Sequence, residues 1–120
     1  MHELSIAQSI LDIAARHIPD GTTCQVTTVR VRVGQLAGVV TNSLEFCFQA
    51  ITRGTRLDGA RLAIEEIPVT AACSACSARF RIDDSRFACP ACGSTAITIT
   101  TGRELQLTEI ELDDEPTDTP

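Results

Sequence analysis

Two short segments, residues 73–76 (CSAC) and residues 89–93 (CPACG), decide the fold. Two residues between cysteines let both sulfur atoms of one tight turn face the same ion, and zinc prefers four ligands in a tetrahedron. Gly93 supplies the backbone freedom that such a turn needs. No histidine lies near these segments. The pattern therefore predicts a zinc site with four thiolate ligands, which are Cys73, Cys76, Cys89 and Cys92. A rubredoxin-like iron site and a redox-active dithiol are the alternatives.

A site with four protein ligands has no open coordination position, which favours a structural role over a catalytic one. Residues 69–97, which carry the cysteines, are too few to bury a core of their own, so we expect the metal to hold this segment folded. Phe80, Ile82 and Phe87 are expected to form its small apolar centre.

The composition is that of a small folded protein with an acidic surface. The chain has 120 residues, of which 43% are hydrophobic, and a formal net charge of -6 at pH 7. Nucleic-acid binding needs a basic surface and is not expected. There is no signal-peptide pattern, and no apolar run reaches the ~20 residues of a membrane helix. We therefore expect a cytoplasmic protein, in which paired cysteines act as metal ligands rather than disulfides.

The residues before the cysteines predict two pairs of a helix followed by a strand. Apolar residues recur at helical spacing over residues 4–18 and alternate with polar ones over residues 25–33. A second helix is expected to begin near Asn42, which with Glu45 three positions later resembles a capping box. A second strand is expected over residues 61–67.

A closing strand is expected over residues 104–112, with a bulge near Thr108 because the apolar phase changes there. Residues 113–120 are acidic and contain two prolines, so a disordered tail is expected. The predicted fold class is α+β: two helices on a small three-stranded, mainly antiparallel sheet, with an inserted zinc-ribbon-like lobe. The predicted division is one discontinuous α/β lobe of residues 1–68 and 98–112, a cysteine lobe of residues 69–97, and the tail.

The N-terminal sequence Met1-His2-Glu3 is a second candidate site. A terminal amine, the next amide nitrogens and an imidazole can form fused chelate rings, and this nitrogen donor set suits square-planar Ni(II) or Cu(II). The Glu3 carboxylate can add an outer ligand or a hydrogen bond to a ligand. A histidine at position 2 is usually only an exposed terminal residue, so the residues alone favour that simpler interpretation.

Three further residues have metal-binding chemistry, and two of them have simpler explanations. His17 falls at the C-terminal end of the first predicted helix, where its charge complements the helix dipole. Cys47 lies on the apolar face of the second predicted helix and is expected to be a buried small hydrophobic residue. Cys24 is in a loop, and its role is left open.

The order of motifs along the chain resembles the HypA/HybF family of hydrogenase nickel-incorporation proteins. The similar segments are residues 1–7 (MHELSIA), residues 31–40 (VRVGQLAGVV), the two Cys-x-x-Cys pairs and residues 102–105 (GREL). They run in order from residue 1 to about residue 112. Each segment alone is ordinary, and together they are specific.

The resemblance implies a nickel metallochaperone for nickel–iron hydrogenase maturation, with urease as a further client of some members, and not an enzyme. It implies Ni(II) as transient cargo at His2, with the Met1 amine and Glu3 as further candidate ligands, and a structural zinc ion at the four cysteines. The implied partners are a HypB-type GTPase and the hydrogenase large-subunit precursor, and a homodimer is left open. Residues 94–101 lack a histidine that some relatives carry there. A fourth nickel ligand must then come from the amine, a backbone amide, Glu3, water or a partner.

Two other classes of function remain open from the residues. One is a zinc-ribbon interaction module without a nickel role, and the other is a rubredoxin-type electron carrier. The Met1-His2 start and the absence of a basic patch favour the chaperone, and metal content would separate iron from zinc. The sequence contains no recognisable catalytic triad, paired acid and base, or phosphate-binding loop.

Overall fold

A computed structural model describes residues 3–21, 23–83 and 86–113 of the chain. The strands form two separate three-stranded sheets. In one sheet, residues 26–34 lie between residues 61–67 and 105–112, and in the other, residues 69–73 lie between residues 79–82 and 97–101. The predicted α+β class with two helices is confirmed, and the cysteine segment contributes to the second sheet. The elements in chain order are α1 (Glu3–Arg16), β1 (Val26–Gly34), α2 (Thr41–Ile51), β2 (Arg61–Ile67), β3 (Val69–Cys73), β4 (Arg79–Ile82), β5 (Ile97–Thr101) and β6 (Leu105–Leu112).

The chain folds into two compact units. Unit 1 contains the described parts of Met1–Val31, Val39–Glu65 and Gln106–Pro120, and unit 2 contains those of Arg32–Gly38 and Glu66–Leu105. Both helices belong to unit 1, and the four clustered cysteines belong to unit 2. No helix among the described residues is long and apolar enough to cross a membrane.

The core of unit 1 follows from the periodicity of its helices. α1 buries apolar residues at helical spacing, and it packs against α2, whose Leu44 and Phe48 are fully buried. Along β1, Val29 and Val31 are buried while Arg30 between them is exposed. The predicted alternation of this strand is therefore confirmed. The buried residues of α1 are Ile6, Ala7, Ile10, Leu11 and Ala14.

The start of α2 differs from its prediction. The N-cap residue is Val40, whose apolar side chain makes no capping hydrogen bond. Instead, Oε2 of Glu3 accepts a hydrogen bond from the Val40 N–H at 3.0 Å. In a capping box this acceptor comes from a side chain three residues after the N-cap. The predicted box of Asn42 and Glu45 is wrong because α2 begins earlier and α1 supplies the carboxylate.

The sheet of unit 2 has its own small core. β3 pairs antiparallel with both β4 and β5. Phe80 and Ile82 lie in this core, as predicted. Phe87 was expected there too, but it is 43% exposed. It lies beyond the end of β4, where strand alternation no longer directs a side chain inward. The core consists of Val69, Ala71 and Ile82, with Phe80, Ile97 and Ile99 packed against them.

The end of the chain is described as far as Asp113. The Asp113 N–H donates to the Gln25 carbonyl at 2.9 Å, and the Asp113 carboxylate accepts the Gln25 N–H at 2.8 Å. The rest of the predicted tail, residues 114–120, lies outside the described residues. The predicted bulge near Thr108 stays a prediction.

Candidate metal centre

Each cysteine pair is shaped by a turn with the same hydrogen-bond pattern. In the first turn the Ser77 N–H donates to the Cys73 carbonyl, and the Cys73 N–H donates to the Ala78 carbonyl. In the second turn Gly93 and Ser94 make the matching two bonds with Cys89. The residue four places after the first cysteine has a positive φ in both turns, 65° at Ser77 and 77° at Gly93. The local sequence thus builds two equivalent turns, each presenting two sulfur atoms.

The two turns bring all four sulfur atoms together. The Sγ atoms of Cys73, Cys76, Cys89 and Cys92 lie within 4.8 Å of one another. Cys73 and Cys92 are 3.7 Å apart at Sγ, and Cys76 and Cys89 are 3.6 Å apart. These distances are too long for a disulfide bond of about 2.0 Å. Tetrahedral zinc with Zn–S bonds of about 2.3 Å separates its sulfur ligands by about 3.8 Å, so the cluster has the dimensions of such a site.

Each of the two close sulfur pairs joins a buried cysteine to an exposed one. Cys73 and Cys89 are buried, whereas Cys76 and Cys92 are exposed. This arrangement places the ligands at the boundary between the core of unit 2 and solvent. On its core side, a bound ion would thus contact Cys73 and Cys89, whose backbone is fixed by the hydrogen bonds of the two turns.

The thiols of each pair differ in acidity. Burial acts to raise the pKa of Cys89, but backbone N–H groups of Cys92 and Ala91 outweigh it and lower the pKa to about 7. Cys76 accepts a bond from the Ala78 N–H, which lowers its pKa, but its neighbour Cys89 and burial outweigh this and raise it to about 12. As the pH rises, Cys89 therefore loses its proton well before Cys76 does.

The other close pair follows the same rule. Hydrogen bonding to the Cys76 backbone lowers the pKa of Cys73. The pKa of Cys92 is raised, because the contact with Cys73 and burial together exceed the lowering by the Ser94 backbone. In both pairs the buried cysteine favours the thiolate form. A divalent cation can bind to a thiolate directly, but it has to displace the protons of the remaining thiols.

The predicted nickel-binding residues are placed only in part. Met1 and His2 lie outside the described residues. Glu3 is the first residue of α1 and is half-buried, with its carboxylate bonded to the Val40 N–H. Nothing in the sequence signals this contact, because the two residues are separated by 37 positions. Reasoning from the sequence therefore missed Val40.

The remaining candidates are not assembled into a second cluster. His17 Nδ1 lies 2.8 Å from the Ile13 carbonyl, at the end of α1. His17 thus lies just after the end of α1, while the predicted effect of its charge on the helix dipole stays a prediction. Cys24 and Cys47 are both half-buried, so Cys47 is less buried than expected. Within residues 3–21, 23–83 and 86–113, the four cysteines are the one group of potential ligands close enough to hold a metal ion.

A helix–strand unit combined with a unit built on two Cys-x-x-Cys turns defines a small metal-binding protein of the α+β class. The family model described as "Hydrogenase/urease nickel incorporation, metallochaperone, hypA" matches residues 1–112. The chain belongs to this family of hydrogenase maturation factors.

Individual relatives agree with this assignment. "Hydrogenase maturation factor HypA" of Roseiflexus sp. (strain RS-1) is 44% identical over 116 residues, which cover 96% of this chain and 94% of the relative. The protein of the same name from Geotalea uraniireducens (strain Rf4) is 41% identical over 113 residues, or 94% of this chain and 100% of the relative.

The solved structures support the fold. The solution structure of the Ni metallochaperone HypA from Helicobacter pylori has a TM-score of 0.64 and 24% sequence identity, covering 96% of this chain and 100% of that one. At this identity the likeness speaks for the fold. It agrees with the confirmed α+β architecture.

Proposed function

We propose that this protein binds Ni(II) at its N-terminus and delivers it for the maturation of nickel–iron hydrogenase. The observation that carries the proposal is the family match, which begins at residue 1 and so includes Met1-His2-Glu3. The imidazole of His2 is the proposed side-chain ligand. The Met1 amine and backbone amides complete the nitrogen donor set, and Glu3 supports the site.

Nickel in this site is cargo, so it must be both captured and released. The net charge of -6 raises the local concentration of cations around the protein. Backbone amides have to lose protons before they bind nickel, so the affinity falls as the pH falls. A partner that protonates or displaces one donor would therefore favour release.

The four cysteines are proposed to hold a structural zinc ion. The support is the sulfur geometry together with the absence of an open position once four thiolates bind. Unit 2 has a core of few apolar residues, and the ion would join its two turns. In this proposal unit 1 binds nickel, and zinc stabilises the fold of unit 2. The proposed role includes no catalysis.

The proposed partners follow from the family. They are a HypB-type GTPase and the precursor of the hydrogenase large subunit, with a urease as a further client to test and a homodimer as one assembly to test. The proposed location is the cytoplasm. Neither nucleic acid nor a membrane is proposed as a partner.

Nickel titration of the His2→Ala variant tests the function directly. We expect loss of specific nickel binding while zinc content and helix content stay unchanged. His17→Ala is the matched control, since it removes the other histidine of the chain. If the His2 variant binds nickel as the parent protein does, the proposed site is wrong. The nickel would then be bound elsewhere, for instance at the cysteines. A zinc-ribbon interaction module without a nickel role would be the better account if the parent protein itself bound no nickel.

A further inference from the structure

A basic loop connects α2 to β2. Residues 52–61 carry three arginines and one aspartate, a local net charge of +2, in a chain whose net charge is -6. Among the described residues, neither the Arg53 nor the Arg61 guanidinium has an ion pair or a side-chain hydrogen bond. Both residues are exposed. Their charge does not serve the fold, so both guanidinium groups are available to bind an anionic group.

The loop keeps its shape without these two arginines. The Thr55 N–H donates to the Thr52 carbonyl at 3.0 Å, and the Asp58 N–H donates to the Thr55 carbonyl at 3.1 Å. The Asp58 carboxylate in turn accepts the Gly54 N–H at 2.9 Å. Leu57 is fully buried and anchors the loop on unit 1. A loop that is fixed in this way loses little further conformational entropy when it binds a ligand.

Arg53 and Arg61 line one recess of unit 1. Each guanidinium can form paired hydrogen bonds with the oxygen atoms of a carboxylate or a phosphate. The recess has a volume of about 300 Å³, at the lower end of the range for ligand sites, so it suits one or two residues of a peptide rather than a large cofactor. The other lining residues are Gln49, Thr52, Asp58, Gly59 and Ala60.

Two features of this surface favour a peptide over a free anion. Asp58 lines the same recess, where its negative charge repels a phosphate ion but its carboxylate can accept the N–H of a bound peptide. Phe46 is 73% exposed and lies three residues before Gln49, so both are on the same face of α2. A phenyl ring beside the recess adds nothing to the binding of a small anion. It can pack on an apolar side chain that neighbours an acidic one.

We propose that Arg53 and Arg61 bind an acidic segment of a partner protein, with Phe46 as its apolar contact. One carboxylate of the segment enters the recess and accepts hydrogen bonds from both guanidinium groups, while a neighbouring apolar side chain covers Phe46. Aromatic and arginine side chains are enriched among the residues that dominate binding energy at protein interfaces. This surface includes no proposed metal ligand, so the inference does not depend on where nickel binds.

A peptide titration tests the proposal. The probe is a blocked tetrapeptide in which leucine alternates with aspartate, and binding is followed by NMR at the arginine Nε–H groups and the backbone amides of residues 46–61. We expect saturable shifts in this segment. The same peptide with asparagine in place of aspartate is the control, and it should bind at least about 10-fold more weakly, because it lacks the charge that the guanidinium groups recognise.

Three variants and one matched control assign the residues. Arg53→Gln and Arg61→Gln should each weaken binding of the aspartate peptide about 10-fold. Phe46→Ala should weaken it about 3-fold and leave the binding of acetate unchanged. Arg79→Gln changes the net charge equally but lies in unit 2 and lines no part of the recess, so it should stay within about 2-fold of the parent. All four residues are exposed, and far-UV circular dichroism checks that each variant folds.

Four outcomes would overturn the proposal. The first is a parent protein that shows no saturable binding of the aspartate peptide. The second is equal weakening by Arg79→Gln, which would mean attraction by overall charge rather than a site. The third is equal affinity for the asparagine peptide, which would remove the role of the carboxylate. The fourth is tighter binding of inorganic phosphate than of the peptide, with no effect of Phe46→Ala, which would assign the recess to a small anion.

Discussion

Gly34 and Gly102 approach so closely that a Cβ atom on Gly34 would overlap the carbonyl group of Gly102. The Gly34 N–H donates to the Glu104 carbonyl at 2.7 Å, and the Leu36 N–H donates to the Gly102 carbonyl at 2.6 Å. Gly102 itself has φ +122°, a conformation that side chains rarely allow. The end of β1 and the turn before β6 are thus joined backbone to backbone within unit 2.

Gly34→Ala should therefore be strongly destabilising. The added methyl group meets backbone atoms rather than a movable side chain, so we expect a loss of at least about 2 kcal/mol in the free energy of unfolding. Gly38→Ala is the matched control. A Cβ there meets nothing within 4 Å and incurs only the strain of φ +75°, about 1 kcal/mol. Denaturant unfolding of both variants, followed by far-UV circular dichroism, checks this. Equal stability of the two would contradict the close approach.

The equivalence of the two cysteine turns leads to a second prediction. Ser77 occupies with φ 65° the position that Gly93 occupies with φ 77° in the other turn. The first turn therefore shows that serine fits this geometry. We expect Gly93→Ser to retain zinc and to cost no more than about 1 kcal/mol of stability. Gly93→Val is the contrasting variant, because a β-branched residue is disfavoured at positive φ. Loss of zinc from Gly93→Ser would show that the turns are not equivalent.

The cysteine cluster is expected to hold unit 2 together. Binding of zinc to a four-thiolate site can be worth about 10–16 kcal/mol. The core described for unit 2 has six apolar residues, a small number to offset the conformational entropy lost on folding. We predict that Cys89→Ser loses zinc and unfolds the β3–β5 sheet while α1 and α2 persist. Amide hydrogen exchange resolves the two units, and metal analysis reports zinc. Cys47→Ser, outside the cluster, should behave like the parent. Stoichiometric zinc and parent-like exchange in Cys89→Ser would rule the idea out.

The acidities of the thiols predict proton release on zinc binding. The pKa is about 7 for Cys89 and about 12 for Cys76, and it is lowered for Cys73 and raised for Cys92. At pH 9 the Cys76–Cys89 pair then holds about one proton, and Cys73 loses its proton at lower pH than Cys92, so zinc should displace fewer than four protons from the cluster. As the pH falls through 7, Cys89 also takes up a proton, and zinc affinity should drop more steeply.

Calorimetry in buffers of different ionisation enthalpy counts these protons. The lowered pKa of Cys89 also makes the stability of the metal-free protein depend on pH. A lowered thiol pKa stabilises the fold at high pH, and this contribution is lost as the pH falls through about 7 at Cys89. Release of four protons at pH 9 would mean that no thiolate exists before zinc binds.

Much of this architecture could be predicted because its causes are local. The alternation of Val29, Val31 and Val33 defines β1, and all three are buried. The spacing within each cysteine pair likewise determines a turn without help from the rest of the chain. Such features depend on residues a few positions apart, which is the range over which periodicity carries information.

What could not be predicted depends on contacts between distant residues. The acceptor that begins α2 comes from Glu3, so the local pattern at Asn42 indicated the wrong cap. Phe87 is apolar in sequence, but no strand directs it to the core, and it stays exposed. Glycines at 34 and 102 look like ordinary turn residues until the backbone shows that they meet.

The last prediction concerns the terminal amine as a nickel ligand. If the amine of Met1 and the first amides bind the metal, the site depends on where the polypeptide starts. A few residues added before Met1 convert the amine into an amide and add bulk, while every side chain stays the same. We predict that such an extension weakens nickel binding at least about 10-fold, about 1.4 kcal/mol. The optical spectrum of square-planar Ni(II) should change as well.

The composition offers a cleaner version of this experiment. The sequence contains no lysine, so in a chain made to begin at Met1 the terminal amine is the one primary amine available to an acetylating reagent. Acetylation turns the amine into an amide, which has to lose a proton before it can bind nickel, and it adds little bulk. It should therefore reduce nickel affinity as the extension does. A C-terminal extension without histidine is the control and should change neither affinity nor spectrum. If the acetylated and extended proteins bind nickel like the parent with the same spectrum, the amine is not a ligand. His2 must then act with backbone amides, water or a second molecule.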